Sequence, residues 1–416
     1  MASVRRLLFF LFVATLFVGC DNINPSGGSG GDTPSLPDIK PFLKGDTVSR
    51  TLLVYMMAEN SLTNDLLDDF SEIKRAAEKL DNNSRLFVYF DNSDTTRLPA
   101  LYQYLSYEGE LIENAVYTFE DDVCSSDTTV LAKVLNLILD DYPTQAFDLI
   151  MGSHADGWVH HKANASPNRV IGIDNGKNTY SNNITTTIEI DELATVLRDN
   201  LPMKIDRLMF DACLMQGVEV AYALRNVADW IIASPAEIPA NGAPYDYIIP
   251  EFFNSESGVD DIMYEYKRAY DNEYYAVVLS AVRASYMQEL ADSTRVYVKK
   301  YFDVDSVNDY SVSLAYVPNK APAYYDVSSV MNELLDSVDY NRWKVVFNKA
   351  VPYVMVSNSK KVWSNIARDL VEVADSCSYG AVSAYFPQDK FLNLELNKDF
   401  RTTEWYVAAG WKDAGW

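Results

Sequence analysis

The stretch "RLMFDACLMQGVEVA", Arg207 to Ala221, decides the fold. It reads as a buried strand whose apolar run is broken by one acid, Asp211, and one thiol, Cys213, with a helix following at once. The same alternation extends to either side. "RTLLVYMMAEN" from Arg50 reads as a strand and "LTNDLLDDFSEIKRAAEKL" to Leu80 as a helix. "RLFVYFDN" from Arg85 is a second strand, and "ALYQYLSYEGELIENAVYTF" is a hairpin around a polar Glu-Gly-Glu turn. The helix "VLAKVLNLILDDY" leads into the strand "AFDLIMGSHADGW"; a small hairpin and the helix "DELATVLRDN" precede the quoted stretch, and "DWIIAS" follows it. Continuous apolar strands alternating with amphipathic helices predict an α/β fold, a mostly parallel sheet with helices on both faces.

Beyond about Pro250 the pattern turns more helical, in "DDIMYEYKRAY", "SYMQELADSTRVYVKKYF", "VSSVMNELLDSV" and "NRWKVVFNKAV". Short strands such as "YAVVLSAV" and "GAVSAYFP" are interleaved. This predicts a C-terminal α+β region packed on the sheet. The expected organisation is a leader over 1–20, a flexible linker over 21–48, a catalytic domain over 49–250 and a helix-rich region over 251–416.

With 35 Lys and Arg against 59 Asp and Glu, the net charge of −24 argues against nucleic acid, whose affinity comes from clustered basic residues. An acidic surface draws basic peptides or cations instead. The start "MASVRRLLFFLFVATLFVGC" has two arginines and then an apolar run too short for an ordinary membrane span. Its end resembles a bacterial lipobox, which implies cleavage before Cys20, lipidation of that thiol and a place in the bacterial cell envelope, at the outer membrane or cell surface. A plain signal peptide and a secreted protein is the alternative. The mature body then holds Cys124, Cys213 and Cys377, an odd number, so at least one thiol is free or pairs between chains.

In open α/β sheets, ligands bind at the carboxyl ends of the strands. "DLIMGSH" delivers His154 to such an end and "RLMFDAC" delivers Cys213. On neighbouring strands, the imidazole and thiol would form a base and nucleophile. A helix directly after Cys213 would favour its thiolate. Strand alternation puts Asp211, roughly 6–7 Å from Cys213, on the same face. A carboxylate there would raise the thiol's pKa, so it suits a cationic substrate group better than activation of the thiol. Structural readings stay open: Asp211 as a carboxylate bonded to loop amides, Cys213 as an inert buried thiol, His154 as a satisfied imidazole. His160 and His161 fall in the polar segment "WVHHKANASPNR" and read as solvated.

Four segments, "VYMMAENSL", "GSHADGW", "FDACLMQGVEVAYAL" and "ASPAEIPANGAPYD", resemble the signature segments of clostripain-type cysteine peptidases, relatives of the gingipains and caspases. "DVSSVMNELL" and "GAVSAYFP" are similar to C-terminal segments of that family, so the likeness runs from about Thr51 to the end. It implies a caspase/gingipain-like fold, a His154–Cys213 dyad, an oxyanion site at the amides of Ala155 and Cys213, and a pocket in which Asp211 selects Arg or Lys. Ala155 stands where the family often has Gly. "ASPAEIPANGAPYD" departs from the commoner "EPGxGW" loop and offers Glu237 as a second substrate-binding acid.

The resemblance further implies protein or peptide substrates with Arg or Lys at the cleavage site, and internal cleavage at Lys162 or Arg169 in "HHKANASPNRVIG". It brings with it calcium, which some relatives require. The sequence itself demands no cofactor or metal and contains no EF-hand-like loop. Two rival functions remain. One is a metal-dependent hydrolase using His154, Asp156, His160 and His161; the other is a non-catalytic surface binding protein on a degenerate peptidase scaffold. A serine hydrolase is disfavoured because none of the expected strands leads into a G-x-S-x-G elbow.

Overall fold

The computed structural model describes residues 44–81, 84–107, 110–159, 171–176, 186–271, 274–305, 308, 310, 313–317, 324–358, 361–365, 368–372, 380–389 and 395–416. Cys20, the leader, the linker as far as residue 43, His160, His161, Lys162, Arg169 and Cys377 lie outside the described residues.

The chain runs β1 (Val48–Ala58), α1 (Thr63–Ala77), β2 (Ser84–Asn92), the hairpin β3 (Ala100–Tyr107) and β4 (Glu110–Thr118), α2 (Thr128–Leu139) and β5 (Thr144–Gly152). A small antiparallel pair follows, β6 (Ile171–Asp174) with β7 (Thr186–Ile188), then α3 (Ile190–Asn200), β8 (Ile205–Asp211), α4 (Val218–Ala223) and β9 (Ala228–Ala233). Next come α5 (Tyr245–Phe253), α6 (Val259–Ala269), β10 (Val278–Arg283), α7 (Met287–Tyr301), β11 (Tyr325–Asp326), α8 (Val327–Leu334), α9 (Ser337–Ala350) and β12 (Tyr353–Val356). The hairpin β13 (Lys361–Ser364) and β14 (Asp369–Glu372), then β15 (Ser383–Ala384), α10 (Glu395–Phe400) and α11 (Glu404–Ala408) complete the chain. The sequence reading contains no helix at α5, where Pro250 lies inside the helix and removes a donor.

Nine strands form one sheet in the order β12-β10-β9-β8-β5-β1-β2-β3-β4. The five central strands are parallel, and antiparallel strands flank them on both sides. The last eight residues of β1 and all of β2 are buried, as strands covered on both faces must be. α1 turns Leu66, Phe70, Ile73, Ala76 and Ala77 to one face of the sheet, and α2 turns Val130, Leu131, Val134, Leu135 and Ile138 to the other. Helical spacing alone gathers each set on one side. Thus each half of the core has its own helix layer, and β10 and β12 from the C-terminal region extend the same sheet. All described residues fall within the compact unit Lys40–Trp416.

One buried ion cluster fixes which strands are neighbours at the centre. Asp148 on β5 is fully buried and accepts from Arg207 on β8, Nε at 3.0 Å, and from Arg50 on β1, Nη1 at 2.7 Å. Removal of the carboxylate would strand the buried guanidinium of Arg207.

Candidate active site

The register of β5 against β8 is Leu149 opposite Leu208 through Gly152 opposite Asp211. His154 and Cys213 therefore stand two residues beyond the carboxyl ends of adjacent parallel strands. The Ser153 amide donates to the Asp211 carbonyl at 3.4 Å, which carries the pairing past the end of β5.

Two backbone features join the loops that follow. Gly157 has φ +74°, and a side chain there would place Cβ 2.8 Å from the Leu214 carbonyl oxygen. Only glycine meets both conditions. Leu214, directly after the thiol, has φ +64°, an uncommon conformation for a branched residue and a local strain held by its surroundings. Its amide donates to the Ala236 carbonyl at 3.0 Å, and that of Gln216 to the Ser234 carbonyl at 3.0 Å. These bonds hold the loop against the segment after β9.

His154 is half-buried, with Nε2 2.8 Å from Ser61 Oγ. Ser61 sits in the turn after β1, fixed by Asn60, whose side-chain amide donates to the carbonyls of Met57 at 2.8 Å and Ile173 at 2.9 Å. The Cys213 sulfur accepts from the Ile238 amide at 3.4 Å and lies 3.6 Å from Asn365 Nδ2. Burial pushes its thiol up to about 12; the Ile238 amide works against this, and Glu237, Asp156 and Asp211 add to it. The expected helical activation of the thiol is therefore not found, because α4 begins only at Val218 and the thiol sits in the preceding turn.

Asp211 is 4% exposed. Its Oδ2 accepts from the Tyr245 hydroxyl at 3.0 Å, and the carboxyl also accepts from the Ala243 amide. Oδ1 meets no donor among the described residues, and neither does Oδ2 of the buried Asp69 on α1. Burial raises both carboxyls, and repulsion from Asp211 raises Asp69 further. β8 ends at Asp211, and the alternation expected to align Asp211 with Cys213 stops with it. The carboxyl meets Tyr245 on α5 and stays near enough to Cys213 for its charge to raise the thiol.

Glu237 is half-buried, and its Oε2 accepts from the Asn365 amide at 3.0 Å. Ala155 is buried and bridges backbone to backbone with Ile171. Cys124 is a free thiol with Sγ 2.6 Å from Thr186 Oγ1. Ser61 lies within one of the segments singled out in the sequence, without being identified as a partner of His154. Asn365 carried no local signal at all, since 152 residues separate it from the thiol.

The clostripain family model, peptidase family C11, matches residues 54–416. The chain belongs to this family. It is 28% identical over 273 residues to clostripain of Hathewaya histolytica, a match covering 59% of this chain and 51% of that protein. The chain thus spans about half the length of the curated relative it matches. Among solved structures, a secreted C11 cysteine protease from Bacteroides thetaiotaomicron bound to an irreversible peptide inhibitor is 27% identical, with a TM-score of 0.75 over 88% of this chain and 99% of that one. An inactive zymogen C11 protease from Parabacteroides distasonis is 26% identical, with a TM-score of 0.72 over the same shares. Clostripain-family membership agrees with the sheet described above. Two members of the alternative metal set, His160 and His161, lie outside the described residues; among those described, the one group with ligand spacing is Glu59, Asp91 and Asp122.

Proposed function

We propose that this clostripain-family chain is a cysteine endopeptidase that cleaves protein or peptide substrates after Arg or Lys. The observation that carries the reading is the β5–β8 register, which sets His154 and Cys213 at matching positions past two adjacent strand ends. In the reaction, Cys213 gives its proton to His154, and the sulfur attacks the scissile carbonyl carbon. The amides of Ala155 and Cys213 hold the oxyanion. His154 returns the proton to the leaving amine as the carbon–nitrogen bond breaks, and water then hydrolyses the thioester with His154 as base. Ser61 supports the imidazole. Asp211 receives the substrate's cationic group, most effectively a bidentate guanidinium, with Glu237 as the second acid.

Maturation is proposed to involve cleavage at Lys162 or Arg169, and export to end in lipidation of Cys20 at the bacterial cell envelope. No helix among the described residues is long and apolar enough to cross a membrane. Calcium enters this proposal only through the family resemblance, as an ion that some relatives require.

The test is hydrolysis of matched fluorogenic peptides with Arg, Lys, Leu or Asp before the scissile bond. Wild type should cleave after Arg and Lys, Cys213→Ala should cleave nothing, and Asp211→Asn should lose basic selectivity. Undiminished cleavage by Cys213→Ala would remove the dyad. Silence of the folded protein on every peptide, with and without calcium, would favour a non-catalytic binding protein.

A further inference from the structure

Asn365 stands directly after β13, exposed, with its carboxamide turned to the proposed nucleophile. Nδ2 lies 3.6 Å from Cys213 Sγ and donates to the Ile238 carbonyl at 3.2 Å. Oδ1 accepts from the Trp363 indole Nε1 at 2.6 Å. An indole N–H only donates, so the atom facing it is the amide oxygen, and the amide nitrogen faces the sulfur. Trp363 is itself held in place: its ring packs edge-on to Tyr275 at 4.9 Å, and its strand neighbours Val362 and Ser364 are buried. The Asn365 backbone amide adds a bond to Glu237 Oε2 at 3.0 Å. Water would satisfy an exposed asparagine without any of this. Here the protein itself fixes the amide, with one N–H aimed at the sulfur.

We propose that Asn365 is a catalytic residue of this site, donating a hydrogen bond from Nδ2 to the oxyanion that forms when Cys213 attacks the scissile carbonyl. The proposal rests on the peptidase reading above. In that step the sulfur–carbon bond forms, the thiol proton passes to His154, and the carbonyl π pair moves to oxygen. That oxygen is two bonds from the sulfur, and an effective donor stands about 2.7–3.1 Å from it. An N–H 3.6 Å from the sulfur reaches the oxygen by a small rotation, while the other N–H keeps the Ile238 carbonyl. When the carbon–nitrogen bond breaks and His154 protonates the leaving amine, the pair returns to the carbonyl. Asn365 transfers no proton. It adds a side-chain donor from the C-terminal region to the amides of Ala155 and Cys213, and a dipole already oriented by Trp363 needs no reorganisation as charge develops.

The competing role is a cover over the thiol, and the experiment separates the two. Full-length wild type is compared with Asn365→Ala, Asn365→Asp, Trp363→Phe and Cys213→Ala, each checked for its melting temperature. Modification of Cys213 by iodoacetamide is read by mass spectrometry, cleavage of an Arg peptide by fluorescence, and inhibition by the matching peptide aldehyde, whose thiol adduct carries the tetrahedral oxygen. Alkylation forms no oxyanion. Asn365→Ala should therefore speed alkylation while kcat falls about 10²–10³-fold with KM nearly unchanged. The aldehyde should bind at least about tenfold more weakly. Asn365→Asp, of the same shape but without the donor, should lose as much kcat, and Trp363→Phe, which lets the amide turn over, should lose part of it.

Cleavage that speeds up together with alkylation would make Asn365 a cover. Cleavage and alkylation slowed together would place its effect on the thiol, and unchanged cleavage beside an active wild type would make it a bystander. Each of these overturns the proposal and leaves the peptidase reading standing. A wild type that cleaves nothing, or a Cys213→Ala variant as active as wild type, would overturn that reading and the proposal with it.

Discussion

Asn365 Nδ2 lies 3.6 Å from Cys213 Sγ, so the β13–β14 hairpin of the C-terminal region reaches the proposed nucleophile. The same asparagine donates through its side chain to the Ile238 carbonyl at 3.2 Å and through its backbone to Glu237. Thiol, the segment after β9 and hairpin are thereby one hydrogen-bonded unit, in which burial raises the thiol's pKa.

That arrangement predicts slow alkylation. With its pKa pushed up to about 12, Cys213 should react with iodoacetamide in proportion to its thiolate fraction, about tenfold faster per pH unit through neutrality and with no plateau below about pH 10. Mass spectrometry of the Cys213 peptide reads the rate. A plateau near pH 7 would mean an imidazolium partner already ionises the thiol. Asn365→Ala should speed modification at fixed pH by uncovering the sulfur.

Gly157 is predicted to tolerate no side chain. Gly157→Ala combines φ +74° with a Cβ 2.8 Å from the Leu214 oxygen, and should cost about 1–3 kcal/mol of stability. Because Leu214 follows the nucleophile, peptidase activity should fall by more than the melting shift explains. Wild-type stability in chemical denaturation would contradict the contact.

Asp148→Ala should destabilise by about 3–5 kcal/mol, since it leaves Arg207 buried without its partner. Asp148→Ala with Arg207→Met should recover part of that loss. A double variant no better than the single one would mean the cost is not the stranded charge.

Glu219 on α4 sets a pH dependence. Burial raises its carboxyl to about 8 from an ordinary 4.5, opposed by the Tyr385 amide. Between those values the folded chain holds a proton that the unfolded chain lacks, so this group makes stability fall as pH rises, by at most about 1.4 kcal/mol per unit. Glu219→Gln should flatten denaturation midpoints over that window and stabilise the protein most near pH 8. An unchanged slope would show that Glu219 titrates normally.

The sequence by itself determined the α/β class, the strands and their helical cover, and the delivery of a histidine and a cysteine to two strand ends. Those features follow from apolar spacing and from residues within a few positions of one another. Tertiary structure alone decided that β5 and β8 are neighbours in register, which Asp148 secures through Arg207. It also decided that α4 starts only at Val218, past Cys213, and that Asp211 bonds Tyr245 and stands beside Asp69. Asn365 at the thiol, Ser61 at the imidazole and the acids around Glu59 are meetings of residues far apart in the chain. Local periodicity has no reach over such separations; only the packing of the sheet with its helices and loops brings them together.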